Sequence, residues 1–449
     1  MSNFLALHTG LSGVRAAQAG IETASNNVSN VNTPGYTRQR VDLSTRPTLQ
    51  LAAGRLGTGV NIDQISRMRE GFLDTRVRAT SQGFAAADTR AELLQRIEDI
   101  VAEPETGLTG LLEGVWNAFE DLANDPSDTA ARQQVLSSLG AVAGRFQAID
   151  AGLSQLRADT AARLDDGIRD VNALIADVDR LNKAIFSASA GGDPPNDLLD
   201  RRDLALDELT SLTGATFEVV TVEDSSRYGM VDVAIDGQPV VDDDGVTTLA
   251  LGADGTTVTV DGGEVGLGGE LGALQQALAD EGDLARWQGE LDDFARDLAA
   301  TLNAAHGAGV VDATGADGGE LVHGETAAAF TVALTDPSHV AAGQGGGPLD
   351  GRNAEALAAL RDGALPSQWR SSVVELGRAT AAATREADAS EALFTAATSA
   401  RQGAHSVSLD EEMVSLVQFQ RALEASSRVM TTIDEAMDVL INRTGLVGR

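Results

Sequence analysis

The sequence contains no cysteine among its 449 residues, and Lys183 is its only lysine. Without cysteine, disulfides, thiolate metal sites and cysteine nucleophiles are excluded together. A Walker-type phosphate loop needs a Gly-Lys pair, which the sequence also lacks. No stretch approaches the roughly eighteen consecutive apolar residues of a membrane span, so no membrane insertion is expected. The N-terminus has no basic segment followed by an apolar run, so no cleaved signal peptide is expected.

Basic residues are scarce as a class. The sequence has 33 Lys+Arg against 67 Asp+Glu, which gives a formal net charge of −34. Such an acidic surface repels phosphate backbones, so nucleic acid is not expected as a partner. Aromatic residues are only 4%, but hydrophobic residues reach 43%, enough for a buried core. This composition predicts helices that pack through small aliphatic side chains.

The sequence offers no pattern for catalysis or for a metal centre. None of its histidines lies within one helical turn of another, and no HExxH pair occurs; they are His8, His306, His323, His339 and His405. The run from Asp242 to Gly245 lacks the alternating ligand spacing of a calcium loop and favours a charged hairpin tip. We therefore predict a protein that is not an enzyme and has no cofactor or bound metal.

Both ends of the chain carry apolar residues spaced alternately three and four apart, as in a heptad seam. The N-terminal series is Phe4, Leu7, Leu11, Val14, Gln18, Ile21, Ser25 and Val28. The C-terminal series is Leu409, Met413, Leu416, Gln420, Leu423, Ser427 and Met430, extended by Met437 and Ile441. Ser408 and Glu411 form a capping-box pattern before the second series. The patterns predict helices over 3–31 and 408–444 that pair in one coiled coil, or two unrelated amphipathic helices on separate cores.

The middle of the chain changes character twice. Residues 36–66 are predicted to be an extended connector, and 67–212 and 270–404 a mainly helical domain. Residues 213–269 contain short β-branched runs separated by Asp-Gly pairs, which predict antiparallel hairpins. The predicted fold is mainly α: a terminal-helix coiled coil (1–35 and 405–449) plus a helical-bundle domain, with a small antiparallel β domain inserted at 213–269.

The stretch SNNVSNVNTPGYTRQR (25–40) has more asparagine than a single helix cap requires: Asn26, Asn27, Asn30 and Asn32. Asparagine tolerates the left-handed conformation and bonds the last free carbonyls of a helix. Pro34 forbids continuation of the helix, and Pro34-Gly35 suits the centre of a type II turn. We interpret the stretch as a firm helix stop that redirects the chain at Tyr36.

These segments resemble a known family. NNVSNVNTPGYTRQRV is similar to the N-terminal motif of bacterial flagellar rod, hook and hook-associated proteins. GTGVNIDQISRMREGFLDTRVR, NDLLDRRDLALDELTSLTGA and SVSLDEEMVSLVQFQRALEASSRVMTTIDEAMDVLINR resemble the hook-associated branch, found at the hook–filament junction. The similarity covers about two thirds of the chain and does not include the β insert.

The resemblance implies a structural protein of the flagellum that assembles through its terminal helices. It implies that the two series above, without Ser25 and Ser427, form the assembly interface together with the motif residues Asn26, Asn27, Asn30, Asn32, Pro34, Gly35 and Tyr36. The expected partners are further copies of the chain, the hook protein, a filament-side hook-associated protein and an export chaperone at the C-terminal helix. The expected location is the extracellular flagellum, reached through type III export.

Three other functions stay open at this point. A rod or hook subunit would share the N-terminal motif, but the helical block at 67–212 disfavours it. A cytosolic coiled-coil adaptor would share the heptads without needing the Asn-rich turn. An envelope hydrolase would need two converging carboxylates in a cleft, for which the sequence offers no candidate pair.

Overall fold

A computed structural model describes residues 2–51, 54–101, 107–189, 194–220, 227, 229–311, 316–345, 347–439 and 441. The helices are α1 (Ser2–Ser29), α2 (Gly71–Val101), α3 (Leu108–Asn124), α4 (Thr129–Ser189), α5 (Asn196–Thr213), α6 (Gly269–Leu278), α7 (Asp283–Gly307), α8 (Arg352–Ala358), α9 (Ala364–His405) and α10 (Leu409–Asp438). Long helices and small antiparallel sheets confirm the predicted mainly α fold. Among the described residues, no helix has the length and apolar character needed to cross a bilayer.

The strands all pair antiparallel. They are β1 (Gln39–Thr45), β2 (Leu49–Leu51), β3 (Gly54–Leu56), β4 (Val60–Arg67), β5 (Thr216–Val219), β6 (Val231–Ile235), β7 (Gln238–Val241), β8 (Leu249–Leu251), β9 (Val258–Val260), β10 (Gly263–Val265), β11 (Val322–His323) and β12 (Thr331–Val332). β1 pairs with β4 and β2 with β3, so the predicted connector forms a two-stranded ribbon. Two three-stranded sheets, β5-β6-β7 and β10-β9-β8, lie in the predicted β insert, and β11 pairs with β12.

Asp-Gly pairs make the tight turns of these sheets, as predicted. Asp236 and Gly237 join β6 to β7 with φ angles of 49° and 75°. Asp261 and Gly262 join β9 to β10 with φ angles of 48° and 78°. Positive φ at both central residues is the type I′ geometry, whose twist matches that of the flanking strands.

The chain divides into two compact units. Unit 1 comprises Met1–Ser81, Val171–Thr248 and Ala392–Arg449, and unit 2 comprises Gln82–Asp170 and Leu249–Glu391. The helices α2, α4 and α9 contribute residues to both. The sheet β5-β6-β7 belongs to unit 1 and the sheet β10-β9-β8 to unit 2, so the strands at 213–269 are described in two parts.

In unit 1 the two terminal helices pair, as the sequence predicted. α1 and α10 run antiparallel, because Gly10 lies against Met430, Gly13 against Ser426 and Gly20 against Phe419. α10 begins at the predicted cap, where the Ser408 hydroxyl accepts a hydrogen bond from the Glu411 N–H at 3.5 Å. The helices at the two chain ends therefore form one packed pair.

Small residues, rather than the large apolar series, form the buried face of α1. The buried positions include Gly10, Ala16, Ala17, Gly20 and Ala24. A Cβ atom built at Gly20 would lie 2.5 Å from Cε1 of Phe419, so the ring rests directly on the backbone of α1. The face toward α10 thus differs from the predicted seam, because close helix approach selects side chains that occupy little space.

A buried amide joins the helices of unit 1 to its three-stranded sheet. Asn182 on α4 is 2% exposed. Its Nδ2 donates to the Val231 carbonyl at 2.8 Å, and its Oδ1 accepts from the Val231 N–H at 3.1 Å and from Arg202 Nη1 at 3.0 Å. This side chain bonds both the N–H and the carbonyl of Val231, the first residue of β6, as the backbone of a neighbouring strand would.

Aromatic rings mark the core of unit 2. Phe146 lies 4.8 Å from Phe330 and 5.8 Å from Phe294, measured between ring centroids. Phe294 stacks on Trp369 at 4.9 Å. Three of the four rings come from α4, α7 and α9 and the fourth from the segment before β12, so one cluster connects distant parts of the sequence.

His306, at the end of α7, is fully buried in unit 2. Its Nδ1 lies 2.7 Å from the Gly319 carbonyl, and its Nε2 accepts the Ala341 N–H at 2.9 Å. This pair of bonds requires a neutral ring with the proton on Nδ1. Burial lowers the pKa of His306 below its ordinary value.

We predict that Gly20→Ala loosens the α1–α10 pair, because the added methyl overlaps the Phe419 ring. Overpacking of this kind typically costs about 1–3 kcal/mol. Amide hydrogen exchange in α1 should then become faster by about tenfold or more. Gly140→Ala in α4 is the matched control, since nothing lies within 4 Å of a Cβ there. Unchanged exchange in α1 of Gly20→Ala would contradict the close packing.

We predict that acid weakens the segment held by His306. In the folded chain the ring stays neutral, whereas the unfolded chain binds a proton below about pH 6.5, so stability falls as the pH drops through that value. Exchange of the Ala341 amide should therefore accelerate between pH 7.5 and pH 5. His306→Gln should remove this pH dependence, and His323→Gln, at an exposed position, should leave it unchanged. An equal acceleration in His306→Gln would refute the assignment.

Candidate assembly site at the helix termini

Asn27, in the last turn of α1, is the centre of the candidate site. It is 1% exposed, and four hydrogen bonds use its whole amide. Nδ2 donates to the Gln39 carbonyl at 2.9 Å and to Glu412 Oε2 at 3.0 Å. Oδ1 accepts from the Gln39 N–H at 3.0 Å and from the Tyr36 hydroxyl at 2.8 Å. One side chain thus joins the end of α1, the start of β1 and the start of α10.

Arg38 completes the bonding of the buried Glu412 carboxylate. Its Nε lies 2.7 Å from Glu412 Oε1, and its Nη1 lies 2.6 Å from Glu411 Oε2. The Arg38 N–H donates to the His405 carbonyl at 3.1 Å, and its carbonyl accepts from the Met68 N–H at 2.8 Å. A buried carboxylate is tolerated when it is paired and hydrogen-bonded, and Glu412 is both.

The remaining asparagines build the turn that follows α1. Asn30 Nδ2 donates to the Asn26 carbonyl at 3.0 Å, and its Oδ1 accepts from the Thr33 hydroxyl at 3.1 Å. Gly35 has a φ of 76°, which directs the chain toward Tyr36. Burial, followed by the charges of Asp200 and Glu412, raises the pKa of Tyr36 to about 12, so its hydroxyl remains a donor.

Four arginines and four aspartates form a second group in unit 1, called here the ion cluster. They come from β4, the residues after it, α2, α5 and α9. The ion pairs join Arg67 to Asp200 (2.8 Å) and Asp203 (2.7 Å), Arg69 to Asp74 (2.8 Å) and Asp203, Arg78 to Asp207 (2.5 Å), and Arg401 to Asp207 (2.6 Å). Asp200 also accepts the Thr37 N–H at 3.1 Å, which connects the cluster to the turn.

His405 ends α9 between the ion cluster and the Asn27 site. Its Nε2 accepts the Glu70 N–H at 2.8 Å, and its Nδ1 lies 3.9 Å from Asp74. Burial is the main cause that lowers the pKa of His405. The neutral imidazole therefore accepts a hydrogen bond from the residue that directly precedes α2.

The turn and the ion cluster border a polar cleft of about 490 Å³. Its lining residues include Asn32, Pro34, Asp74, Asp203 and Arg401. Each carboxylate of the cluster is already paired with an arginine, so the cleft lies between segments that ion pairs connect. Elsewhere in unit 1, Asp242, Asp243 and Asp244 occupy a turn closed by the Val241–Val246 bridge, in line with the predicted charged tip.

The predicted interface residues fall into two groups. Leu7, Leu11, Val14, Ile21, Val28, Leu416, Leu423, Met430 and Met437 are partly covered. Gln18 and Gln420 are exposed, as are four large apolar residues: Phe4 (61%), Leu409 (49%), Met413 (55%) and Ile441 (70%). The structure gathers Asn26, Asn27, Asn30, Asn32, Pro34, Gly35 and Tyr36 into one turn.

Sequence reasoning missed Arg38, Glu412, the small-residue face of α1 and the ion cluster. Faint signals exist for the last two. Glycine recurs at 10, 13 and 20, and the charged pairs RMR (67–69) and DRRD (200–203) stand out in their segments. Neither pattern indicates which distant segment it contacts, so the partners become visible only in the folded chain.

We predict that Asn27→Ala destabilises unit 1 by about 2–4 kcal/mol, because it leaves part of the buried Glu412 carboxylate and the Gln39 backbone without partners. Hydrogen exchange should accelerate together in α1, β1 and the first turns of α10. Asn26→Ala is the matched control, since Asn26 is exposed and its amide reaches the Tyr36 hydroxyl at 3.3 Å. Equal hydrogen exchange in the two variants would contradict the central role assigned to Asn27.

Comparison with known proteins assigns the chain to a family. Residues 94–347 match the family described as flagellar hook-associated protein FlgK helical domain. Residues 7–37 match the flagella basal body rod protein family, and residues 405–443 match the C-terminal family of flagellar basal body rod FlgEFG proteins. The last two matches cover the Asn27 turn and α10.

Individual relatives agree with the domain matches. The chain is 29% identical to flagellar hook-associated protein 1 of Bacillus subtilis (strain 168), with all of both chains aligned. It is 27% identical to flagellar hook-associated protein 1 of Escherichia coli (strain K12) over 70% of this chain and 59% of that one. The flagellar hook junction protein FlgK from Burkholderia pseudomallei has the same fold, with a TM-score of 0.64 at 18% identity, over 75% of this chain and 100% of that chain. The chain therefore belongs to the flagellar hook-associated protein FlgK family, the structural proteins of the junction between flagellar hook and filament.

Proposed function

We propose that the α1–α10 pair is the element through which copies of this chain join one another and their neighbours in the flagellum. The paired helices would form the inner layer of the junction, with the outer faces of both helices against adjacent subunits. The expected partners are further copies of the chain, the hook protein on one side and a filament-side hook-associated protein on the other. The exposed positions of the two heptad series are the proposed contact residues.

The exposure of α10 is the observation that carries this proposal. All thirty residues of α10 are described, and Glu412 is the one that is buried. Met413, Val414 and Val417 are 55%, 57% and 45% exposed. Helices in proteins gain most of their stability from a packed apolar face, and α10 covers little of its own. A surface of this kind is typical of a protein–protein contact site.

Asn27 and its hydrogen-bond partners, called here the Asn27 hub, fix the relative positions of the helix ends, which assembly requires. Because Asn27 and Arg38 both bind Glu412, the start of α10 has a fixed axial position relative to the end of α1. Subunits that stack through exposed side chains require those side chains in one register. The hub therefore positions Leu409 and Met413 relative to the Asn-rich turn.

Membership of the family and the composition of the sequence support a proposal on export and chaperone binding. We propose that the chain reaches the flagellum through the type III export channel without a cleaved signal. Before export, the exposed apolar face of α10 would be covered by a chaperone. A chain without cysteine suits this route because it cannot form wrong disulfides on the way.

The ion cluster supports a structural role over a hydrolytic one. A general acid must hold a proton near neutral pH, which requires a carboxyl group set apart from positive charge. Asp74, Asp200, Asp203 and Asp207 are each paired with arginine, so none of them is set apart from positive charge. The converging carboxylates thus act as ion-pair partners between segments.

The proposal predicts a loss of filaments when the exposed face of α10 becomes polar. We expect Leu409→Ser with Met413→Ser, introduced in the source bacterium, to give hooks without filaments and flagellin shed into the medium. The physical reason is that the variant removes apolar contact area between subunits while changing side chains that the single chain leaves exposed. Electron microscopy of cells and immunoblots of the medium measure both effects.

The control separates assembly from folding and export. Val219→Ser with Val246→Ser changes two exposed apolar residues of unit 1 outside the terminal helices, and should give normal filaments. The variant chain must also be found in the medium, which shows that it was exported. Normal filaments on cells carrying Leu409→Ser with Met413→Ser would exclude this face as the assembly surface.

A further inference from the structure

The ribbon formed by β1 and β4, with the hairpin β2–β3 at its tip, carries large apolar side chains that the described part of the chain leaves exposed. Leu43 pairs with Ile62 across the ribbon, and Leu49 pairs with Leu56 across the hairpin. These four residues are 44%, 36%, 47% and 43% exposed, respectively. Cross-strand apolar pairs normally stabilise a sheet by packing on a core, and here both pairs face solvent.

The hairpin β2–β3 lacks the support that such an element needs. A two-stranded hairpin alone is marginally stable in water, and further strands or a covering helix are required. Its described side chains, those of Leu49, Gln50, Arg55 and Leu56, are all exposed. The ribbon is anchored on α1 at both of its ends: at its base, Gln39 bonds to Asn27, and at its last pair, Thr45 with Val60, the Ser12 hydroxyl accepts the Val60 N–H at 3.2 Å. An anchored ribbon with an uncovered tip is typical of an element that completes its packing on another molecule.

The charge of the ribbon is opposite to that of the chain as a whole. From Leu43 to Ile62 the sequence contains Arg46 and Arg55 and no aspartate or glutamate. The whole chain has a net charge of −34. An acidic apolar surface would therefore attract this segment, whereas a basic surface would repel it.

α10 offers such a surface. Its thirty residues include seven acidic and two basic side chains. Val414, Val417 and Val429 are 57%, 45% and 49% exposed along the same helix. These valines and the ribbon leucines are exposed together in the single chain, which leaves both surfaces available to a second copy.

We propose that the ribbon tip docks on the exposed face of α10 in a second copy of this chain. Leu49 and Leu56 lie on the valines of that helix, and Arg46 and Arg55 face its carboxylates. The contact is heterologous, since the ribbon of one copy meets α10 of the next, and it therefore continues from subunit to subunit around a layer. The inference rests on the proposed function and assigns a partner to the α10 face.

Cysteine cross-linking in assembled flagella tests this contact, and the cysteine-free chain makes it specific. The variant carries Arg55→Cys and Val417→Cys, and isolated flagella are treated with a short bis-maleimide. We expect a ladder of dimers and higher multimers on denaturing gels. Arg55→Cys with Val219→Cys is the matched control and should remain monomeric, as should each single variant.

Every other outcome contradicts the contact. Multimers from Arg55→Cys alone would indicate ribbon–ribbon pairing, and a heavier band containing another flagellar protein would identify a different partner. A chain that is present in flagella but gives only monomers with cysteines at 414, 417 and 429 in turn would overturn the inference while leaving the proposed function intact. A chain that is absent from flagella without any substitution would overturn the proposed function itself.

A second variant tests the contact without cross-linking. Leu49→Ser with Leu56→Ser should lower the amount of chain retained per hook by about tenfold, the change that corresponds to about 1.4 kcal/mol. Export into the medium should stay at its normal level, and helix content by circular dichroism should not change. Val219→Ser with Val246→Ser should be retained normally. Equal retention of the two variants would contradict docking through the ribbon.

Discussion

The hydrogen bond between Asn27 and the buried carboxylate of Glu412 is the interaction on which the arrangement of unit 1 depends. Glu412 is 3% exposed, and a buried carboxylate without partners would cost several kcal/mol. Asn27 and Arg38 satisfy it from two directions, and both also hold backbone groups around the turn. The ends of three elements, α1, β1 and α10, must therefore meet at one point. A shift of either helix by one turn would leave this carboxylate unpaired.

Close approach of α1 and α10 explains why so many large apolar residues remain exposed. At Gly10, Gly13 and Gly20, side chains of α10 pack directly on the backbone of α1, and the Phe419 ring lies against Gly20. A narrow contact of small residues covers less apolar area than a wide leucine seam would. Leu409, Met413 and Phe4 are therefore left outside the pair. The same packing that joins the two chain ends thus supplies the surface on which assembly is proposed to depend.

Sequence reasoning predicted the elements better than their contacts. The heptad spacing located both terminal helices and their pairing, Ser408 was recognised as the cap of α10, and the Asp-Gly pairs located the hairpins. The buried face of α1 was not recognised, because glycine and alanine add little to an apolar pattern even where they are most tightly packed. The ion cluster joins residues near 70, 200 and 400, and no local pattern carries that information. Whether 213–269 behaves as a separate domain and whether the named interface residues meet neighbouring subunits remain predictions.

The distribution of charge connects folding with assembly. Two groups of arginines in unit 1 differ in their surroundings: Arg67, Arg69, Arg78 and Arg401 are held in the ion cluster, whereas Arg46 and Arg55 extend from the ribbon. Partly buried pairs are screened little by salt, while attraction between exposed charges on separate subunits is screened strongly at a Debye length of about 8 Å. The joint at the Asn27 turn therefore keeps its form across ionic conditions. The attraction of the ribbon for an acidic helix weakens as salt rises, and its leucines supply the part of the contact that salt does not remove.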